Sequence, residues 1–125
     1  MKKLFISCPM RNRTEEAIRE SMDKMHKIAE ATLGEEVEVI QSYIQDNPPK
    51  NSKQAVWYLG ESIKKLSEAD VVICIDEDWD YEGCRAERSI ARSYGIPVID
   101  ASTEFVAPDV IDAMRGERAI CEPNK

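Results

Sequence analysis

Residues 71–75, Val-Val-Ile-Cys-Ile, are five consecutive apolar side chains with an aspartate at each end, Asp70 and Asp76. A strand with one wet face alternates polar and apolar residues. An unbroken run is therefore a strand covered on both faces, the mark of a central strand in a parallel sheet. Covering both faces takes helices, and the rest of the chain supplies them. Lys3–Ser7 and Glu36–Ile40 read as two earlier strands, and Ile96–Ile99 as a later one whose Pro97 suits an end or edge. Ile18, Met22, Met25, Ala29 and Leu33 recur at helical spacing, opened by Asn12-x-x-Glu15 as a capping box and closed by Gly34. Ser52 is placed to cap a second helix with Val56, Leu59, Ile63 and Leu66 on its buried face. Asp46-Asn47-Pro48-Pro49 before it is a loop. A third helix runs from Gly83 to Tyr94, closed by Gly95; a fourth covers Asp109–Arg115, and Arg118–Cys121 reads as a fifth short strand. The alternation predicts an α/β fold: a three-layer flavodoxin- or Rossmann-like parallel sheet of about five strands, order 2-1-3-4-5, with helices on both faces.

At 125 residues the chain is expected to form a single domain, 1–125, without a disulfide or metal staple. Lys and Arg total 17 against 24 Asp and Glu, a net charge of −7, which argues against binding a nucleic acid polymer. No apolar run is long enough to span a membrane, and Leu4–Cys8 is too short for a signal-peptide core, so a cytoplasmic protein is expected. The cysteines at 8, 74, 84 and 121 form no Cys-x-x-Cys pair, and His26 is the sole histidine. No metal or other cofactor is implied.

In this strand order a ligand crevice opens at the carboxyl ends of strands 1 and 3. The first loop, Ser7-Cys8-Pro9-Met10-Arg11-Asn12-Arg13, leads into a helix N-terminus with two arginines, a setting for an anion or for a solvated turn. A cysteine phosphatase would need Cys-x5-Arg; Cys8 and Arg13 are one residue too close. A phosphoacceptor receiver would need paired acids where Ser7-Cys8 stands. The second loop, residues 76–82, carries Asp76, Asp78, Asp80 and Trp79, then Gly83 at the turn into the third helix. Glu87 is expected in the first turn of that helix, where the dipole favours the ionised carboxylate and suits it to act as a nucleophile.

Gly83-Cys84-Arg85-Ala86-Glu87, followed by Ile90-Ala91-Arg92-Ser93-Tyr94-Gly95-Ile96-Pro97-Val98-Ile99, resembles a stretch of the nucleoside 2-deoxyribosyltransferase family, which includes the 2′-deoxynucleoside 5′-phosphate N-hydrolases. Leu4–Met10 resembles that family's opening strand and Ser-x-Pro loop, Ser67–Val72 its acid-headed central strand, and Ser42-Tyr43-Ile44 with Asp46-Asn47 its second loop. The nearest likeness is to small uncharacterised members with a tryptophan ahead of the glycine, as Trp79 stands here.

The resemblance implies an N-glycosidic hydrolase or (deoxy)ribosyltransferase acting on a nucleoside or nucleoside 5′-monophosphate. Glu87 would attack the anomeric carbon, and water or a second base would resolve the ester. The family's aspartate eight residues before Asp70 is missing and Ser62 stands there; either neighbouring Glu61 or an aspartate of the 76–80 loop takes the role, or Ser62 is a weaker substitute, or catalysis has been lost. Ser7, Arg11 and Asn12 are expected to line the sugar or phosphate end, Trp79 and Tyr43 to contact the base, and Met10, Asp76, Asp78 and Gly83 to bind substrate as well. Arg11 and Arg13 favour a 5′-phosphate. A homo-oligomer is implied by family analogy alone. The alternative is an inactive nucleotide-binding module, a sensor or sequestering domain of the same fold.

Overall fold

The computed structural model of the chain describes residues 1–41, 44, 46–77 and 79–113. In order these form β1 (Lys2–Ser7), α1 (Glu15–Leu33), β2 (Val37–Val39), α2 (Gln54–Leu66), β3 (Val71–Ile75), α3 (Glu82–Ser93), β4 (Val98–Ala101) and a short α4 (Thr103–Val106). Residues 108–113 continue as helix. The strands form one parallel sheet in the order β2-β1-β3-β4. All five residues of β3 are buried, as an unalternated apolar run requires. Each such side chain contributes roughly 1.5–3 kcal/mol by leaving water.

The period of two divides the core between two layers. Leu4, Ile6, Val71, Ile73 and Ile75 face α1 and α4, where Met25, Ala29 and Val106 pack on them. Phe5, Val72 and Cys74 face the other way, onto Leu66 of α2 and Ala91 of α3. Ser7 falls on the Phe5 side by the same alternation. It therefore projects under α2 and α3, a placement that decides the site.

Several local expectations are corrected. The sheet has four strands among the described residues, in the expected order, and the expected fifth, 118–121, lies outside them. Asn12 does not cap α1; its backbone is left-handed (φ 62°) in the preceding turn, a conformation asparagine tolerates. Thr14 is the cap, its hydroxyl oxygen accepting from the Ala17 amide at 3.1 Å. Gly34 closes α1 at φ 71° and donates to the Glu30 carbonyl, as a left-handed C-terminal residue should. Ser52 does not cap α2; its hydroxyl donates to the Pro49 carbonyl at 2.7 Å, and Lys53 precedes the helix without a side-chain cap. Val56 is not core but 64% exposed. The α2 stripe is buried at its C-terminal end, Leu66, and leaves the sheet toward its N-terminus.

Candidate active site

The buried residues of α3 are Cys84, Glu87 and Ala91, spaced three and four apart on one face. Glu87 thus occupies a core position on an amphipathic helix, with only 8% of its surface exposed. It lies in the second turn of α3, which starts at Glu82, not in an exposed first turn. Two hydroxyls meet its carboxyl group. Ser7, at the end of β1, donates to Oε1 at 2.7 Å. Ser62, from α2, donates to Oε2 at 2.6 Å. Burial pushes the carboxyl above its ordinary value, and the hydrogen bonds from Ser62 and Ser7 pull partly back. The expectation that the helix dipole keeps Glu87 readily ionised is thereby corrected: desolvation wins.

Glu87 stands at the wall of a cleft of about 560 Å³ at the carboxyl end of β1. Loop residues Cys8–Arg11 form one side, α2 residues Ala55, Val56, Tyr58, Leu59 and Ser62 a second, and Tyr81–Cys84 a third. Most of this surface is apolar, and Arg11 is the one cation among the described lining residues. Its guanidinium donates to the Asp80 carbonyl at 2.6 Å, meets Glu82 at 3.4 Å, and lies 5.5 Å from the Tyr81 ring centroid. The Tyr81 hydroxyl donates back to the Arg11 carbonyl at 3.0 Å. The two crevice loops are thereby tied together across the rim.

The structure brings Glu87, Ser62, Met10, Arg11 and Gly83 to this cleft. Ser7, 1% exposed, stands behind Glu87 and reaches the cleft only through that carboxyl group. Glu61 is not brought in: it is absent from the lining, and its carboxylate pairs with Lys64 at 2.7 Å. Asn12 lines a separate, smaller cavity of about 130 Å³. Asp76 turns away to α4 and accepts from the Thr103 amide at 2.9 Å; burial raises its carboxyl, but the Thr103 hydroxyl and amide hold it below the usual range. Trp79 takes a left-handed backbone (φ 49°) and packs on the α1-side core, away from the cleft lining. Tyr43 and Asp78 lie outside the described residues.

Arg13 also departs from expectation. Its side chain is 2% exposed and holds Asp109 through two donors at 2.7 and 2.8 Å, with Ser21 at 2.7 Å. It ties the first loop to the helical segment 108–113 and is not placed to receive a phosphate. Cys8 and Cys84 border the cleft, but burial pushes their thiols up to about 11 and about 12, so neither is a thiolate nucleophile at neutral pH.

Sequence reading missed Tyr58, Leu59 and Tyr81 as cleft residues. One signal was available: Ala55, Val56, Tyr58 and Leu59 give α2 a broader apolar surface at its N-terminal end than one sheet contact uses.

No family model matches the sequence, and no curated protein matches it. A solved structure of a 2-deoxyribosyltransferase from the psychrotolerant bacterium Bacillus psychrosaccharolyticus, a biocatalyst for nucleoside synthesis, is similar with a TM-score of 0.52. Identity is 18%, over 81% of this chain and 72% of that one. The likeness is one of fold. It supports the α/β fold with its parallel sheet. No helix among the described residues is long and apolar enough to cross a membrane.

Proposed function

We propose that the chain breaks or exchanges the N-glycosidic bond of a nucleoside or nucleoside 5′-monophosphate, with Glu87 as the nucleophile. The observation that carries this reading is a buried carboxyl, held by two hydroxyls, at the wall of a largely apolar cleft. A planar base has apolar partners in Leu59 and Tyr58, and the sugar's anomeric carbon would meet Glu87. A Glu87 oxygen bonds to that carbon as the carbon–nitrogen bond breaks, its electron pair leaving with the base. Water then gives a free sugar, or a second base gives a new nucleoside. The resemblance of Gly83–Glu87 to the deoxyribosyltransferases and the fold likeness support the same reading.

The expected homo-oligomer belongs to this proposal. Met10, Val56 and Tyr58, exposed by 44%, 64% and 39%, surround the cleft mouth and suit cover by a second copy. Ser62, in place of a second carboxylate, favours one other reading, a nucleotide-binding module without turnover. Incubation with a panel of nucleosides and 5′-monophosphates, followed by chromatography for free base, separates the two. Base release that Glu87→Ala abolishes is the expected result. Binding without release from any substrate would support the module, and release that survives Glu87→Ala would remove the nucleophile assignment.

A further inference from the structure

A base leaving a sugar must collect a proton, and among the described lining residues few groups can give one. Glu82 is at the rim, 73% exposed and paired with Arg11. The Tyr81 hydroxyl is committed to the Arg11 carbonyl. The Cys8 and Cys84 thiols, pushed to about 11 and about 12, are weak acids. Glu61, the other carboxylate nearby in sequence, is held by Lys64 outside the cleft. Ser62 differs from all of these, and from Tyr58, which also lines the cleft, in bonding the Glu87 carboxyl group. It lines the cleft, and its oxygen is 2.6 Å from Oε2 of Glu87.

A serine hydroxyl is both donor and acceptor. When Glu87 is ionised, Ser62 donates to it. When Glu87 is protonated, the acid can donate to Ser62, whose own proton is then free to turn into the cleft. We propose that Ser62 is the proton relay of this site, passing the proton that Glu87 gives up on attacking the sugar to the departing base. This rests on the reading of Glu87 as nucleophile. One Glu87 oxygen forms the bond to the anomeric carbon. The carbon–nitrogen bond breaks, its electron pair goes to the base, the base takes the Ser62 proton, and Ser62 takes the Glu87 proton. Neutral acid and nucleoside become neutral ester and neutral base, with no charge created in an apolar cleft.

The surroundings shift Glu87 toward its protonated form. Burial raises the Glu87 carboxyl. Among the described residues, the ionisable groups that interact with it include Cys74 on β3 and Cys84 on α3, both with raised thiols; Arg88, next to it on α3, bonds Cys74 and pairs with Asp100 at 3.2 Å. Ser7 cannot act as the relay, because at 1% exposure it has no access to the cleft.

The test compares two substrates: the best nucleoside of the panel, and 4-nitrophenyl 2-deoxyribofuranoside, whose phenolate departs without a proton. General-acid assistance is worth about a hundredfold or more. Ser62→Ala should therefore lower kcat on the nucleoside by about that factor, and on the nitrophenyl substrate by far less. Ser62→Thr, which keeps a hydroxyl, should restore much of the loss. With rising pH, wild-type kcat should fall on the nucleoside as Glu87 loses its proton, and rise on the nitrophenyl substrate. Equal losses on both substrates, or matching pH profiles, would make Ser62 a positioning residue and overturn the relay while the nucleophile reading stands. No turnover of either substrate by the wild type would overturn both.

Discussion

Replacing Glu87 by glutamine should make the protein more stable at neutral pH, with a gain that depends on pH in a defined direction. The carboxyl is buried and its affinity for a proton is raised by that burial above the ordinary value of 4.5. An unfolded chain releases the Glu87 proton near 4.5, while the folded chain keeps it to higher pH. Between those two points the folded state holds one proton more than the unfolded state. Stability then falls as pH rises, with a limiting slope of about 1.4 kcal/mol per pH unit. The contribution is fully present below 4.5 and is lost as pH rises through the folded value. Glutamine has no proton to lose and fits the same partners. Its carbonyl accepts from one serine, and its amide donates to the other hydroxyl oxygen.

Urea unfolding of both proteins from pH 4 to pH 8 isolates this group, because all other titrations cancel in the difference. The stability gap should move toward the glutamine variant by at most about 1.4 kcal/mol per unit across the window above 4.5, then level off. A gap that is flat with pH, or that moves toward the wild type as pH rises, would mean that the serine hydrogen bonds outweigh desolvation. The electrostatic account of the site would then be wrong.

The hydroxyls make their own prediction: a buried polar atom left without its partner costs about 1–3 kcal/mol, so Ser7→Ala should destabilise more than Ser62→Ala, since water can replace the donor only on the cleft side. Denaturant midpoints showing the reverse order would contradict the assigned burial. Arg13→Ala should cost about 3 kcal/mol, the low end for a broken buried pair, because Asp109 keeps 41% of its side chain exposed. The hydrogen bond from Arg13 holds the Asp109 carboxyl below 3.8, so this contribution is present above 3.8 and fades as pH falls through the lowered value; acid titration of the variant should lack that step. Burial pushes Cys8 and Cys74 to about 11 and Cys84 to about 12, so iodoacetamide at pH 8 should leave all three unmodified in the folded protein, as read by peptide mass mapping; a labelled Cys84 would refute its burial.

The sheet was legible because β3 leaves no freedom: five apolar residues in a row admit a doubly covered strand, and the alternation of Leu4, Phe5 and Ile6 then sorts β1 between two core layers. The crevice followed from strand order, and Glu87, Ser62, Met10, Arg11 and Gly83 do line it. Side-chain direction was harder to read. Arg13 and Arg11 are two residues apart in one loop, yet one is buried against Asp109 and the other sits at the rim. That difference is made by a helix nearly a hundred residues later in the chain, which local sequence does not encode. Trp79 was misplaced for a backbone reason: a left-handed tryptophan is rare, so a loop reading assumes ordinary geometry and points the ring into the crevice. Caps failed locally too: Asn12 takes a left-handed backbone in the turn before α1, and Ser52 spends its hydroxyl on the Pro49 carbonyl.

The choice of hydroxyls around Glu87 is itself informative. A lysine or arginine there would lower the carboxyl and lock it ionised. A second carboxylate would compete with it for one proton. Two serines do neither. Each can donate to the anion, and each can accept from the acid. On the proposed function, Glu87 would alternate among carboxylic acid, carboxylate and ester and meet three hydrogen-bond patterns in one turnover, which partners able to reverse direction serve without moving the backbone. The cost is stability, because the carboxyl sits on a core stripe where Cys84 and Ala91 show that small uncharged residues fit. A chain selected for stability alone would carry such a residue at position 87. That Glu87 stands there, at 8% exposure and with both oxygens engaged, is what the proposed function accounts for and packing alone does not.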